Sequence, residues 1–424
     1  MHIEVVTIGD ELLLGFTIDT NGAFLARELA PFGVTVVRRT SVGDGPAEIA
    51  AAVGEALDRT GAVITTGGLG PTSDDLTKPA IAQLFGRAMR RDDAVVEALH
   101  RRWKSLGRTG DIPKSNLQQA YIPEGAVVLP NAHGTAPGIW LEDERGRWAA
   151  MLPGVPREMR GLFADELLPR IRARLTGAPT VVRSRTIRTT GIAESALSDR
   201  IIAIEGFDLE GLGLAYLPGW EGVDLRLTAR GLAAAEADAR LSRVAAVLAA
   251  AAGEHVYGGG ADDLAGVVLQ ALRAGGRRIA VAESCTGGML GERLTAIPGA
   301  SDVMLGGIIA YHNDVKTSKL GVRPETLAAH GAVSEETARE MAGGVRAALG
   351  AAVGVAITGI AGPDGGTPDK PVGTVCIAAD VDGAVRSLRA RMIGDRHEVR
   401  QRSTQAALSL ARRLLLETGA GPAT

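Results

Sequence analysis

The feature that most restricts the fold of this chain is a repeating alternation. Short β-branched runs are each followed by a segment with helical periodicity, and the joints between them are rich in glycine. In residues 1–170 the runs IEVVTIG, VTVVRRT and AVITTGG read as strands. Residues 20–31 and 46–59 read as helices, and a further helix is expected from about Asp74. A βαβαβα order predicts a mainly parallel sheet covered on both faces, that is, a three-layer α/β/α unit. Functional loops in such sheets gather at the carboxyl ends of the strands. Those ends carry GDELLLG, from Gly9 to Gly15, and TGGLGPTSDD, from Thr66 to Asp75.

The alternation changes character further along. Residues 171–256 contain the strand-like VRSRTIRTTG and GVDLRLTARG with Ala-rich helical stretches, which predicts a small α+β module. YGGG at 257–260 reads as a linker. Residues 261–424 return to α/β: a helix, the strands RRIAVAE, DVMLGGIIAY, VGVAITG and VGTVCIAADV, and a long helix near 396–417. A chain of 424 residues is long for a single core, so three domains follow, at 1–170, 171–256 and 261–424.

Composition removes several classes of function. The formal net charge is −3 and aromatic residues make up 3% of the chain. Neither a basic surface nor an aromatic stacking platform for nucleic acid is expected. The middle segment has no lysine, its arginines are matched by acidic residues, and it has no GxxG loop with basic flanks, so it reads as a spacer or dimer element. The two cysteines, Cys285 and Cys376, are too few for a disulfide framework or a zinc cluster. The first apolar run lacks a basic leader and no run is long enough to span a bilayer, which predicts a cytoplasmic protein without membrane partners.

The most informative chemistry lies in the last third. In AESCTGG, from Ala282 to Gly288, a buried strand runs into Ser-Cys-Thr-Gly-Gly and then a helix. The opening of a helix presents unpaired N–H groups, here expected near Cys285, Thr286, Gly287 and Gly288, that can hold an oxyanion or a phosphate. The plain alternative is that Ser284 only caps the helix. GGIIAYHNDVK ends a strand at Tyr311 and sets Lys316 five residues on. Serine needs a base to become a nucleophile, and a lysine whose pKa is lowered by burial can serve. TGIAGPDGG supplies Thr358, Gly359 and Gly362 in a backbone-exposing loop, and GDRHEVR sets Arg396 and Arg400 four apart on one helix face. Cys285 is a rival nucleophile, since thiolates react more readily than hydroxyls.

Taken together, ESCTGG, the Tyr-x4-Lys pair, GAVSEET, GIAGPDGG and KPVGTV resemble the C-terminal domain of the CinA family, the PncC-type nicotinamide mononucleotide deamidases. The resemblance covers nearly all of residues 262–415. It implies that Ser284 is the nucleophile, that Tyr311 and Lys316 activate it, and that no metal or other cofactor is used. It also implies Arg396 and the Thr358–Gly362 loop as holders of the ribose phosphate, with Arg400 beside them.

At the other end of the chain, Gly67, Gly68 and Gly70 form a turn suited to phosphates, and Asp74 and Asp75 follow at the expected helix start. These carboxylates, with Asp10 and Glu11, have the chemistry to hold a hard divalent cation. The alternative is helix capping by Asp74 and a favourable helix-dipole interaction from Asp75. IGDELLLG, TNGAFLARELAPFGV, TTGGLGPTSDDLT, LPNAHGTAPG and MLPGVPREM resemble the N-terminal domain of CinA proteins, which is similar to the molybdopterin-binding fold. The resemblance implies hydrolysis of ADP-ribose to AMP and ribose 5-phosphate, with a divalent metal (magnesium or cobalt) and potassium. Asn131, Gly134 and Thr135 are expected to line that pocket. A KH-like middle domain and a homodimer are implied as well. Three readings stay open: a bifunctional pyridine-nucleotide salvage enzyme, a deamidase with a merely ligand-binding N-terminal domain, or a non-enzymatic partner in competence or DNA damage.

Overall fold

A computed structural model describes residues 1–105, 107, 109–176 and 180–419. The last five residues of the third expected domain, 420–424, lie outside the described residues. The chain falls into two compact units. One comprises Met1–Arg183 with Ala229–Ala239, and the other Ser184–Thr228 with Arg240–Thr424, so the middle segment is divided between them.

The described residues up to 176 form β1 (His2–Ile8), β2 (Thr35–Val42), β3 (Ala62–Thr66), β4 (Met89–Arg91), β5 (Tyr121–Pro123), β6 (Val127–Leu129), β7 (Gly138–Glu142) and β8 (Trp148–Leu152). Six make one sheet in the order β2-β1-β3-β8-β7-β6, and β4 pairs with β5 apart from it. The first four strands of that order are parallel, and β7 runs antiparallel to both β8 and β6. Neighbouring residues of β1 enter different cores, because side chains alternate across a sheet. Val5 packs with Leu25 and Leu29 of the Thr20–Leu29 helix, and Val6 with Ile49 and Val53 of the Pro46–Thr60 helix. Both faces are therefore covered, giving the three-layer arrangement.

One boundary differs from expectation. The helix after β3 begins at Thr77, not near Asp74. The Asp75 carboxylate accepts hydrogen bonds from Gly70 N–H (2.7 Å) and Thr72 N–H (2.8 Å), which closes the segment into a loop before a helix can start. Asp74 makes no capping hydrogen bond to that helix.

The middle segment holds β9 (Thr180–Thr189), β10 (Gly213–Pro218), β11 (Val223–Ala233) and β12 (Val256–Gly259), in the order β10-β11-β9-β12. Its helices are Glu194–Ile202 and Ala234–Ala252.

The C-terminal sheet is built from β13 (Ile279–Glu283), β14 (Met304–Ile309), β15 (Val353–Gly359), β16 (Thr374–Val381) and β17 (Ala384–Arg391), ordered β14-β13-β15-β16-β17. β13 lies parallel to both β14 and β15, and β16 is antiparallel to β15 and β17. Every residue of β13 is buried, with Val281 in the core on one face and Ala282 in that on the other. β17 has no counterpart in the sequence reading. Its AVRSLRAR is largely exposed and charged, as befits an edge strand. The final helix, Arg396–Glu417, opens on a capping box: the Asp395 carboxylate accepts from Glu398 N–H, and the Glu398 carboxylate accepts from Asp395 N–H, both at 2.9 Å. That box fixes where Arg396 and Arg400 stand.

Candidate functional site

Ser284 follows directly on the buried strand β13 and is 8% exposed. Its N–H donates to the Ile357 carbonyl of β15 at 2.9 Å, so its backbone is tied into the sheet. Lys316 comes from the Asn313–Leu320 helix, which is capped by His312. Its ammonium-bearing end is turned inward, and the residue is 1% exposed. The Lys316 Nζ lies 3.2 Å from Ser284 Oγ, 2.8 Å from the Ala310 carbonyl and 3.2 Å from the Tyr311 carbonyl. No carboxylate pairs with it among the described residues. Burial therefore pushes its pKa down from the usual lysine value of 10.5. A neutral amine has two hydrogens for the two carbonyls and one lone pair for the serine hydroxyl.

The helix that presents Lys316 is seated by a close contact. A methyl group at Gly344 would lie 1.8 Å from the Leu320 carbonyl oxygen. The glycine lets the Glu335–Leu349 helix approach the end of the lysine-bearing helix.

Tyr311 contributes differently from the sequence expectation. Its ring is 63% exposed, and its hydroxyl accepts from Arg396 Nη2 at 3.3 Å. Only its backbone carbonyl touches Lys316, because the chain turns outward after β14 ends at Ile309. Arg396 also donates to the Gly362 carbonyl at 2.5 Å. With Arg400 it borders a cleft of about 580 Å³ formed by Ala361–Pro363, Val372 and Gly394–His397. Thr358 is fully buried and donates to the Ala332 carbonyl at 2.8 Å, so its side chain braces a loop. Gly359 ends β15 where a methyl group would lie 2.8 Å from the Thr374 carbonyl.

The turn after Ser284 corrects a second expectation. The N–H groups of Gly287 and Gly288 are not free. Gly287 donates to the Ser284 carbonyl at 3.1 Å, and Gly288 to the Glu283 carboxylate at 3.1 Å. Glu283 also accepts from Leu290 and Gly291 and so fills the opening of the Met289–Thr295 helix itself. The N-cap of that helix is Gly288, so Ser284 is not a cap. Glu283 was missed by sequence reasoning; the available signal was a carboxylate ending an otherwise apolar strand. Cys285 is buried, which pushes its thiol up to about 12 and keeps it protonated near neutral pH. That weakens its claim as the nucleophile.

In the first unit a crevice of about 420 Å³ opens at the carboxyl ends of β1, β3 and β8. Gly67, Gly68 and Gly70 line it together with Glu11, Asp74, Asp75 and Thr135. Asp44, Gln119 and Glu158 line it too and were not singled out from sequence. Gln119 is 2% exposed, and its Oε1 has no hydrogen-bond partner among the described residues. Asp10 is not in the lining, for its carboxylate accepts from Asp44 N–H at 3.2 Å and Asp44 returns the bond at 3.1 Å. Asn131 is likewise committed, donating to Ala136 and Glu158 and accepting from His133. Gly134 is the gap into which the Glu158 carboxylate fits, since a methyl group there would overlap it.

The expected carboxylates do not converge as a metal cage. Among the described residues no group of three or more His, Cys, Asp or Glu side chains stands together in that way. Both Asp75 oxygens already accept loop donors. The donor set therefore does not fit a cation held by the protein alone. Among the described residues no helix is long and apolar enough to cross a membrane.

Comparison with known proteins matches three consecutive segments of the chain. Residues 4–173 match a probable molybdopterin binding domain, 184–258 the damage-inducible protein CinA KH domain, and 261–415 the CinA C-terminal domain. A CinA-like protein of Gemmatimonas aurantiaca is 59% identical over 97% of this chain and 96% of its own length. One from Frankia casuarinae is 47% identical over 98% of this chain and 96% of its own. Among solved structures, CinA from Thermoplasma acidophilum is 34% identical, with a TM-score of 0.37 over 40% of this chain and 97% of that one. With such identity sustained along almost the whole length of its relatives, this chain belongs to the CinA family.

Proposed function

We propose that the C-terminal site hydrolyses the carboxamide of nicotinamide mononucleotide, giving nicotinate mononucleotide and ammonia. One observation carries the reading: a buried lysine amine, held by two backbone carbonyls and no carboxylate, lies 3.2 Å from a serine hydroxyl at a strand end. Neutral Lys316 takes the Ser284 proton as the hydroxyl oxygen attacks the carboxamide carbon. The carbonyl electron pair moves onto oxygen, and the N–H groups of Cys285 and Thr286 receive it. When the intermediate collapses, Lys316 returns the proton to the departing nitrogen, which leaves as ammonia. Water, deprotonated by the same amine, then cleaves the acyl ester and restores Ser284. Arg396 at the cleft edge matches the phosphate of the substrate in charge and shape.

The test is ammonia release from nicotinamide mononucleotide. Ser284→Ala should lower kcat by at least about 10⁴-fold, and Lys316→Met by about 10²–10⁴-fold. Cys285→Ala should leave kcat within a few-fold. If Cys285→Ala abolishes turnover and Ser284→Ala does not, the nucleophile is misassigned. If the wild-type chain releases no ammonia, the non-enzymatic reading gains.

A second reading concerns the acidic crevice of the first unit. Its glycine-rich turn at the ends of parallel strands supports binding of a diphosphate such as ADP-ribose. Glu11, Asp44, Asp74, Asp75 and Glu158 would repel that ligand unless a divalent cation arrives with it. Release of AMP from ADP-ribose in the presence of magnesium or cobalt separates a bifunctional enzyme from a deamidase with a merely binding N-terminal domain.

A further inference from the structure

The turn that carries Ser284 is gripped from two sides. Glu283 is 1% exposed and has no cationic partner among the described residues. Its carboxylate instead accepts three backbone N–H bonds, from Gly288 (3.1 Å), Leu290 (3.0 Å) and Gly291 (2.8 Å). On the other side Arg400 places Nε at 3.3 Å and Nη2 at 2.7 Å from the Thr286 carbonyl oxygen. Between these grips, Ser284 N–H is bound to Ile357 and Gly287 N–H to Ser284. Among the described residues, the Cys285 and Thr286 N–H groups of this turn donate to no other residue.

Two adjacent amides free at a nucleophile's own turn are useful only if they do not swing. An oxyanion donor is worth about 10²–10³ in kcat, and only at 2.7–3.1 Å from the oxygen it serves. The Cys285 and Thr286 N–H groups belong to the 284–285 and 285–286 peptides. The next peptide is held at the Thr286 carbonyl by Arg400 and by Met289 N–H, and the amides beyond it by Glu283, so these grips fix the C-terminal side of the 285–286 plane. We propose that Glu283 and Arg400 are positioning residues, which orient the Cys285 and Thr286 N–H groups toward the oxyanion formed on attack by Ser284. Arg400 then acts through the turn and is not a phosphate ligand. The inference rests on the reading of Ser284 as the nucleophile.

The experiment uses the full chain with Glu283→Gln and Arg400→Lys. Glutamine keeps the shape but turns an NH2 group toward N–H donors, and lysine cannot place two donors on one carbonyl. Each variant is assayed on nicotinamide mononucleotide and on its thioamide analogue, whose sulfur is a poor acceptor and gains little from an oxyanion hole. In both variants kcat on the amide should fall by about 10²-fold with KM nearly unchanged. The preference for amide over thioamide should shrink about tenfold with it. Equal losses on both substrates would mean a merely structural role and would overturn the proposal. A raised KM with preserved kcat in Arg400→Lys would make Arg400 a substrate ligand and overturn its part. Arg400 is half-buried, so its variant keeps the test alive should Glu283→Gln fail to fold. If the wild type releases no ammonia, the deamidase reading fails by itself. The proposal is then judged by the rate at which a fluorophosphonate labels Ser284, since its phosphoryl oxygen takes the oxyanion position. Labelling about tenfold slower in both variants supports it, and an unchanged rate sinks it.

Discussion

At the residue scale the decisive property is the charge state of Lys316. Desolvation lowers its pKa, so the folded chain gives up this proton at a lower pH than the unfolded chain does. Two consequences share that sign. Turnover should rise with pH as Lys316 deprotonates, with the limb below the ordinary 10.5 and absent in Lys316→Met. A pH–rate profile of kcat/KM for ammonia release checks this, and a flat profile through that window would remove the amine as base. In the same window the unfolded state holds more protons at this position, so the Lys316 contribution to stability rises with pH up to 10.5. The closeness of Ser284 and Lys316 is legible in the sequence because both lie just beyond adjacent parallel strands, β13 and β14. The roles of Tyr311 and Glu283 are not legible. In one the contact is made by a backbone carbonyl that any residue supplies. In the other a carboxylate is satisfied by amides several residues ahead, and no spacing rule announces it.

At the scale of elements, the site depends on how closely one helix seats the next. Gly344→Ala drives a methyl group into backbone at Leu320, where no side chain can yield. The expected outcome is a loss of about 1–3 kcal/mol, with ammonia release falling further than the unfolded fraction accounts for. Thermal denaturation and kcat measured below the transition check it together, and an unchanged kcat would mean that the Lys316 helix is not displaced. Buried strands such as β13 and β15 are readable from their apolar runs. β17 is not, because an edge strand dominated by Arg386, Arg389 and Arg391 has no apolar run to read. The misplaced start of the Thr77–Leu84 helix has a similar origin. Asp74 and Asp75 look like helix-opening residues, yet Asp75 faces backward to Gly70 and Thr72.

At the scale of the whole molecule, two chemically unlike sites reside on two compact units. The crevice of the first is lined by carboxylates, and the cleft of the second is bordered by Arg396 and Arg400. Asp75→Asn should loosen the Gly70–Thr72 turn and depress hydrolysis of ADP-ribose, while ammonia release stays within about twofold, as expected for positions with no shared partners. Parallel assays of the two activities check this, and an equal drop in both would show the sites to be coupled. The order of α/β segments is plain from the alternation of runs. The apportioning of the middle segment to both units is not, since long-range packing leaves no periodic trace.

The carboxylate of Glu283 has one further consequence. By stoppering the Met289–Thr295 helix with its own side chain, the protein withholds from visitors the amide dipoles that often welcome negatively charged guests. On the deamidase reading, recognition of such a guest falls to the Arg396 guanidinium at the cleft edge. Attraction of that kind fades as ionic strength climbs, so affinity here answers to the salt around it.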